Sequence, residues 1–124
     1  MKFLKLLKAL FTSAPRAAPS DCAARVRSGE ALLIDVREPG EWAGGVAHSA
    51  TLLAFSDLTG QRAQWRQFLA AVGGREVLLY CASGSRSGLA ARILVAEGVR
   101  AANTGGLADW RASGWPVARP AKAC

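Results

Sequence analysis

Two unbroken apolar runs, ALLIDV at residues 31–36 and EVLLYC at residues 76–81, do most to limit what this chain can fold into. Runs this short, without apolar-polar alternation, fit strands covered on both faces. Between and after them lie segments with helical spacing. RAQWRQFLAAV sets Trp65, Phe68, Leu69 and Val72 on one stripe, read as core, and SGLAARILVAEG carries another. TLLAF at residues 51–55 is a weaker strand candidate, and VRAANTGGLADW reads as a short strand, a glycine pair and a last small helix. Ahead of the first run, Ser20 is placed to cap a short helix, DCAARVRSG, in which Cys22 and Val26 stand four apart as core and Gly29 ends the turn. Pro39 can open a helical turn in the charged loop after the first run. Strands alternating with helices in this order imply an α/β fold, a parallel sheet with helices on both faces.

The chain has 124 residues, 51% of them hydrophobic, enough for one core and one domain. Its net charge of +7 raises the question of nucleic acid, and the distribution answers it. Residues 21–116 hold ten Arg against nine acids, while Lys2, Lys5, Lys8 and Arg16 at one end and Arg119 and Lys122 at the other supply the remaining six charges. The globular part therefore has no basic groove, and nucleic acid is excluded as a partner. Cys22, Cys81 and Cys124 are odd in number and widely spaced, and His48 is the one histidine. Neither a disulfide framework nor a metal site follows, and no cofactor is expected. A free thiol suits a reducing compartment, so a cytoplasmic location is expected.

Residues 1–19 form a basic tail and a Pro/Ala-rich linker, TSAPRAAPS. Lys5 and Lys8 divide the apolar stretch of MKFLKLLKALF, and nothing in the chain approaches the roughly 20 apolar residues of a membrane span. On a helical wheel Lys2, Lys5 and Lys8 group together, leaving Leu4, Leu7, Leu10 and Phe11 opposite. An amphipathic helix over residues 1–12 could rest against its own domain, or make weak contact with an anionic membrane surface or a partner. Removal as an export signal, with a periplasmic destination, is the third possibility.

The chemistry concentrates in CASGSRSG, residues 81–88. Cys81 stands where the chain leaves a buried strand, a position expected to expose it. In a parallel sheet, ligands bind at the carboxyl ends of the strands, an edge shared by Cys81, the loop from Asp35 to Glu41, and the residues around Asn103 to Gly106. A loop from Cys81 to Arg86 closing onto a helix N-terminus turns its backbone N–H groups inward around an anion, and Gly84 supplies the positive φ for that curl. A thiolate in that field, with Arg86 near, falls below its ordinary pKa of about 8.5 and is the reactive form at neutral pH.

Three stretches, IDVREPGEW at residues 34–42, CASGSRSG opening a helix, and NTGGLADWRASGWPV at residues 103–117, stand in an order and spacing that resemble a single-domain rhodanese over residues 20–117, with 118–124 a short tail. The resemblance implies a three-layer fold with a central parallel sheet of about four or five strands. It also implies a sulfurtransferase in which the loop cysteine takes sulfane sulfur from a donor such as thiosulfate and passes it, as a persulfide, to cyanide or a thiol. Cys81 holds that position. Arg86, with Ala82, Ser83, Gly84, Ser85 and Ser87, is expected to form the substrate-binding loop, and Ser87 is equally well placed as helix N-cap. Asp35, Arg37 and Glu41 support the site, with Arg37 expected to pair with Glu41, either fixing the loop or touching substrate. Many family members carry arginine directly after the cysteine, where this chain has Ala82, and GGVAHSA at residues 44–50 displaces His48 into a surface loop.

The implied partners are a small-molecule sulfur donor and acceptor, with a thiol protein as a further acceptor, and the chain is expected to be a monomer. Two other classes share the fold: a catalytically silent interaction module, and phosphatases or arsenate reductases whose Cys-to-Arg loop is one residue longer. Cys81 to Arg86 is six residues, a ring narrower than phosphate requires.

Overall fold

A computed structural model of the chain describes residues 4, 7–9 and 11–120. From the tail helix expected over residues 1–12, Leu4 and residues 7–9 are helical, Leu4, Leu7 and Phe11 are exposed, and Ala9 is buried against the core. Phe11 and Thr12 are not helical, and residues 1–3, 5–6 and 10, with Cys124, lie outside the described residues. No helix among the described residues is long and apolar enough to cross a membrane.

The elements in chain order are α1 (Pro19–Ser28), β1 (Ala31–Asp35), α2 (Pro39–Trp42), β2 (Val46–Ala47), β3 (Thr51–Leu52), α3 (Phe55–Leu58), α4 (Ala63–Ala71), β4 (Glu76–Cys81), α5 (Ser85–Ala96), β5 (Ala101–Gly106), α6 (Leu107–Ala112) and β6 (Val117–Ala118). Four strands form one parallel sheet in the order β3-β1-β4-β5. The two apolar runs lie side by side at its centre, Leu33 against Leu78 and Ile34 against Leu79. That adjacency explains why both are apolar throughout: each face of each strand is covered. Alternation along β4 sends Val77, Leu79 and Cys81 to one face, with Trp65, Ala90, Ile93 and Leu94, and Leu78 and Tyr80 to the other, with Cys22, Trp110 and Trp115. Cys22 is fully buried, as its helical spacing with Val26 implies.

Three local features depart from the sequence reading. Proline, not serine, opens α1: Ala18 is the N-cap and Pro19 takes the first helical position, where its missing N–H costs nothing. TLLAF yields only a two-residue strand, because Phe55 turns back into α3 and Trp65 fixes that turn by donating its indole N–H to the Ala54 carbonyl at 3.0 Å. The TSAPRAAPS segment is tied to the sheet: the Asn103 N–H donates to the Pro15 carbonyl and the Ala17 N–H to the Asn103 carbonyl, each at 3.0 Å, in a parallel bridge along β5. A second, antiparallel pair, β2 with β6, closes the far end.

Candidate functional site

Cys81 is the last residue of β4, and the turn Ala82-Ser83-Gly84 carries the chain straight into α5. Gly84 caps that helix at φ 100°, the left-handed conformation that only glycine adopts freely. Its N–H donates to the Cys81 Sγ at 3.0 Å. The turn is held down by β5: a Cβ on Gly106 would collide with the Ala82 carbonyl, so the glycine pair is what lets the loop lie against the strand. This packing also corrects the expectation that Cys81 is exposed, since it retains 1% of its accessible surface. Ala82, Ser83 and Ser85 are exposed above it, with the two serine hydroxyls 3.5 Å apart.

Ser87 is not the helix cap. With Gly84 in that role, Ser87 falls inside the first turn of α5, fully buried, its Oγ 3.4 Å from the Cys81 sulfur, 2.7 Å from Asn103 Oδ1 and 3.3 Å from the Gly105 carbonyl. Burial alone would push the Cys81 thiol up. The Ser87 hydroxyl and the N–H groups of Ser87, Ser83 and Gly84 outweigh it and hold the thiol below its ordinary value. Cys22 is the control: burial, only partly offset by Arg25, pushes it up, and no comparable ring of donors surrounds it.

The arginines pair differently from the expectation. Arg86 meets Glu41 in a two-pronged ion pair, Nη1 to Oε1 at 2.7 Å and Nη2 to Oε2 at 2.9 Å. Those bonds, with the Glu38 N–H, hold the Glu41 carboxyl at about 2. Arg37 turns back on Asp35 instead, Nη2 to Oδ2 at 2.8 Å, with a second bond from Nη2 to the Gly45 carbonyl at 2.6 Å. Asp35 is completely buried and also accepts from the Tyr80 hydroxyl at 2.7 Å and the Trp42 indole at 3.1 Å. The reason for the exchange is geometric. Asp35 ends β1 on the Tyr80 face, opposite Cys81, and captures the arginine two residues on, while the capping turn of α2 lifts Glu41 toward the loop. Glu41 is thus brought to the site; Asp35 and Arg37 tie the end of β1 to Gly45 and Tyr80 on the other face. His48 is exposed in the turn after β2, where its carbonyl accepts from the Trp115 indole.

Asn103, which the sequence places at this edge without a role, bonds to the residues around the sulfur. Asn103, 8% exposed, donates from Nδ2 to the Gly84 carbonyl at 3.1 Å and accepts at Oδ1 from the Gly105 N–H at 3.0 Å and from Ser87. The available signal was an amide inside a strand directly before a glycine pair, a poor strand former kept in the sheet. Among the described residues no group of three or more His, Cys, Asp or Glu side chains could hold a metal ion.

Among solved structures, a rhodanese-related protein from Thermoplasma volcanium superposes with a TM-score of 0.70 at 24% identity, over 86% of this chain and 99% of its own. A Rhodopseudomonas palustris protein of unknown function, described as a possible tyrosine phosphatase, gives 0.70 at 24% identity over 95% and 94%. The thiosulfate sulfurtransferase of Pseudomonas aeruginosa gives 0.63 at 21% identity over 86% of this chain and 20% of its own. These are likenesses of fold. No curated protein matches the chain. The family model for the rhodanese-like domain matches residues 18–113, which take in both central strands, the cysteine loop and the glycine pair. The chain therefore belongs to the rhodanese-like domain family.

Proposed function

We propose that the protein is a sulfurtransferase that carries sulfane sulfur on Cys81. The observation that supports this reading best is the convergence of the Gly84 N–H and the Ser87 hydroxyl on a sulfur held below its ordinary pKa. In the first step the Cys81 thiolate attacks the outer sulfur of thiosulfate. The Cys81 S–S bond forms as the donor's S–S bond breaks, and sulfite leaves with the electron pair. In the second, cyanide or a thiolate attacks the outer sulfur of the persulfide, and Cys81 leaves as the thiolate it began as. Neither step needs a base, because thiolate is both reactant and product. The inward N–H groups suit this exchange, since they stabilise negative charge on the inner sulfur without shielding the outer one. Arg86 keeps its Nε–H and two further N–H groups for a donor's oxyanion, its charge offset by Glu41.

Intact mass should rise by about 32 Da, one sulfur atom, on exposure to thiosulfate, and Cys81→Ser should abolish the gain. An adduct mapping to Cys22 or Cys124, or none at all, would reject the proposal, the latter favouring a silent interaction module. Phosphatase chemistry is the weaker reading: the loop from Cys81 to Arg86 is six residues long, one short of the loop that surrounds phosphate. Turnover of an aryl phosphate at a rate comparable to sulfur transfer would reverse that preference.

A further inference from the structure

Asn103 has more polar contacts with the cysteine loop than any group in the proposed chemistry requires. Its backbone is fixed at both ends, the N–H on the Pro15 carbonyl and the carbonyl on the Ala17 N–H. The side chain is consequently aimed, and it meets three residues around the sulfur: Gly84 through Nδ2, and Gly105 and Ser87 through Oδ1. Gly88 adds a steric limit, since a Cβ there would stand 3.1 Å from Nδ2. We propose that Asn103 is the positioning residue of this site, its amide holding the Gly84 turn and the Ser87 hydroxyl so that both donors converge on Cys81.

The mechanism lies in one proton. Ser87 has a single O–H and three acceptors, of which Asn103 Oδ1 at 2.7 Å is the shortest and the Cys81 sulfur at 3.4 Å the longest. Over a neutral thiol the proton rests on Oδ1. When the sulfur is a thiolate, a charged acceptor makes the stronger bond and the hydroxyl turns to it. Oδ1 is not orphaned by that rotation, because the Gly105 N–H still donates to it. Asn103 thus gives Ser87 a resting place and keeps it within one rotation of the sulfur. Meanwhile Nδ2 and the Gly88 N–H, at 3.1 and 2.9 Å, anchor the carbonyl of Gly84, whose own N–H faces Sγ.

The charged groups around Cys81 come from several elements, among them Arg16 and Arg92, which line a cavity with Gly84, Gly88 and Asn103. From α5, Arg86 senses the sulfur but is paired with Glu41, the charged residue that α2 contributes. Asp35, Arg37 and Tyr80 are engaged with one another on the opposite face. Asp57 of α3 is taken up by the N–H groups of Ala63, Gln64 and Trp65, and β5 supplies no titratable side chain beside the site.

The inference shares with the proposed function only the identity of the nucleophile, so it is tested without sulfur transfer. Iodoacetamide alkylation of Cys81, read by peptide mass spectrometry, is followed against pH in full-length wild type, Asn103→Ala, Asn103→Asp, Ser87→Ala and the Asn103→Ala/Ser87→Ala double variant, with the melting temperature of each recorded. Asn103→Ala should raise the midpoint by about one pH unit, so that alkylation well below it slows about tenfold. Asn103→Asp, nearly isosteric and able to stand in if the alanine variant does not fold, should raise it further, because it loses the donor to Gly84 and brings a negative charge. The double variant should shift by less than the sum of the singles, since the two residues act through one network. Midpoints within about 0.2 unit of wild type, a downward shift, or full additivity would overturn the proposal, even where the melting temperature falls. A wild type that takes no sulfur from thiosulfate, with these shifts intact, would sink the proposed activity and leave the role of Asn103 standing.

Discussion

Removing one oxygen, in Tyr80→Phe, separates the buried Asp35 network on one face of the sheet from the chemistry proposed at Cys81 on the other. The Tyr80 hydroxyl donates to Asp35 at 2.7 Å and accepts the Ala47 N–H at 2.9 Å. Tyr80 and Asp35 are fully buried and Ala47 is 1% exposed. Burial, the largest influence, pushes the hydroxyl up, so it stays a protonated donor at any working pH. Its loss strands a buried N–H and takes one donor from a buried carboxylate, although Arg37 and Trp42 remain on Asp35. A stranded buried donor costs about 1–3 kcal/mol and a bond to a charged group about 1.5–3, so with overlap the sum is about 3 kcal/mol. At roughly 2 cal/mol/K of unfolding entropy per residue, a chain of this size should lose about 12 °C of melting temperature. Thermal melts by circular dichroism measure that, and the alkylation rate of Cys81 in the folded variant measures the other half. The rate should stay within about twofold, since Tyr80 and Cys81 point to opposite faces. A melting temperature within about 3 °C of wild type would show that the network carries little. A tenfold loss of thiol reactivity would show instead that Asp35 and Arg37 belong to the reacting site.

The two described cysteines should separate with pH: near pH 7 iodoacetamide should label Cys81 well ahead of Cys22, whose thiol burial pushes up, and equal labelling would contradict the ring of donors. Because the folded value of Cys81 is lowered, its thiolate adds stability that is full above about pH 8.5 and is lost as pH falls through the folded value. Denaturant melts of wild type minus Cys81→Ser should therefore show a difference that grows with pH just below 8.5, and a flat difference would refute the shift. Glu41→Gln should lower the thiosulfate KM severalfold by releasing the Arg86 charge, and an unchanged KM would mean that Arg86 does not meet the donor. Since Glu41 sits at about 2, its pair with Arg86 should not titrate between pH 4 and 9 in that assay. For the tail, residues 1–12 are proposed to give weak, salt-sensitive binding to anionic vesicles, each lysine near the surface contributing about 1 kcal/mol. Co-sedimentation of full-length protein no greater than that of a form lacking residues 1–12 would remove that role.

The central sheet was legible because its signals are local: ALLIDV and EVLLYC declare their burial in composition, and Gly84 declares a turn. Cys81 was legible for the same reason, as a thiol at a strand end before small residues. The pairing of the arginines was not. The resemblance implies Arg37 with Glu41, but the Asp35 side chain two residues away takes Arg37, and Glu41 meets Arg86, forty-five residues on, which no local signal announces. Ser87 looked like a cap because hydroxyls suit caps, but a glycine at positive φ moved the helix start ahead of it. Asn103 opens one of the three matching stretches, but it is neutral and its role comes from what β5 places it against. β2 and β6 are two residues each, too short for any period to show.

The contact of residues 15–17 with β5 has a consequence for how this domain keeps to itself. β5 is a border strand, and a border strand offers unpaired N–H and C=O groups to any extended chain that drifts past. At Asn103 those groups are already taken by the protein's own leader. A version cut to begin at residue 18, where the family match begins, would therefore present a vacant pairing site on β5 at Asn103. Self-association of that shortened form at high concentration, absent from the full-length chain, is what such a vacancy would look like in solution.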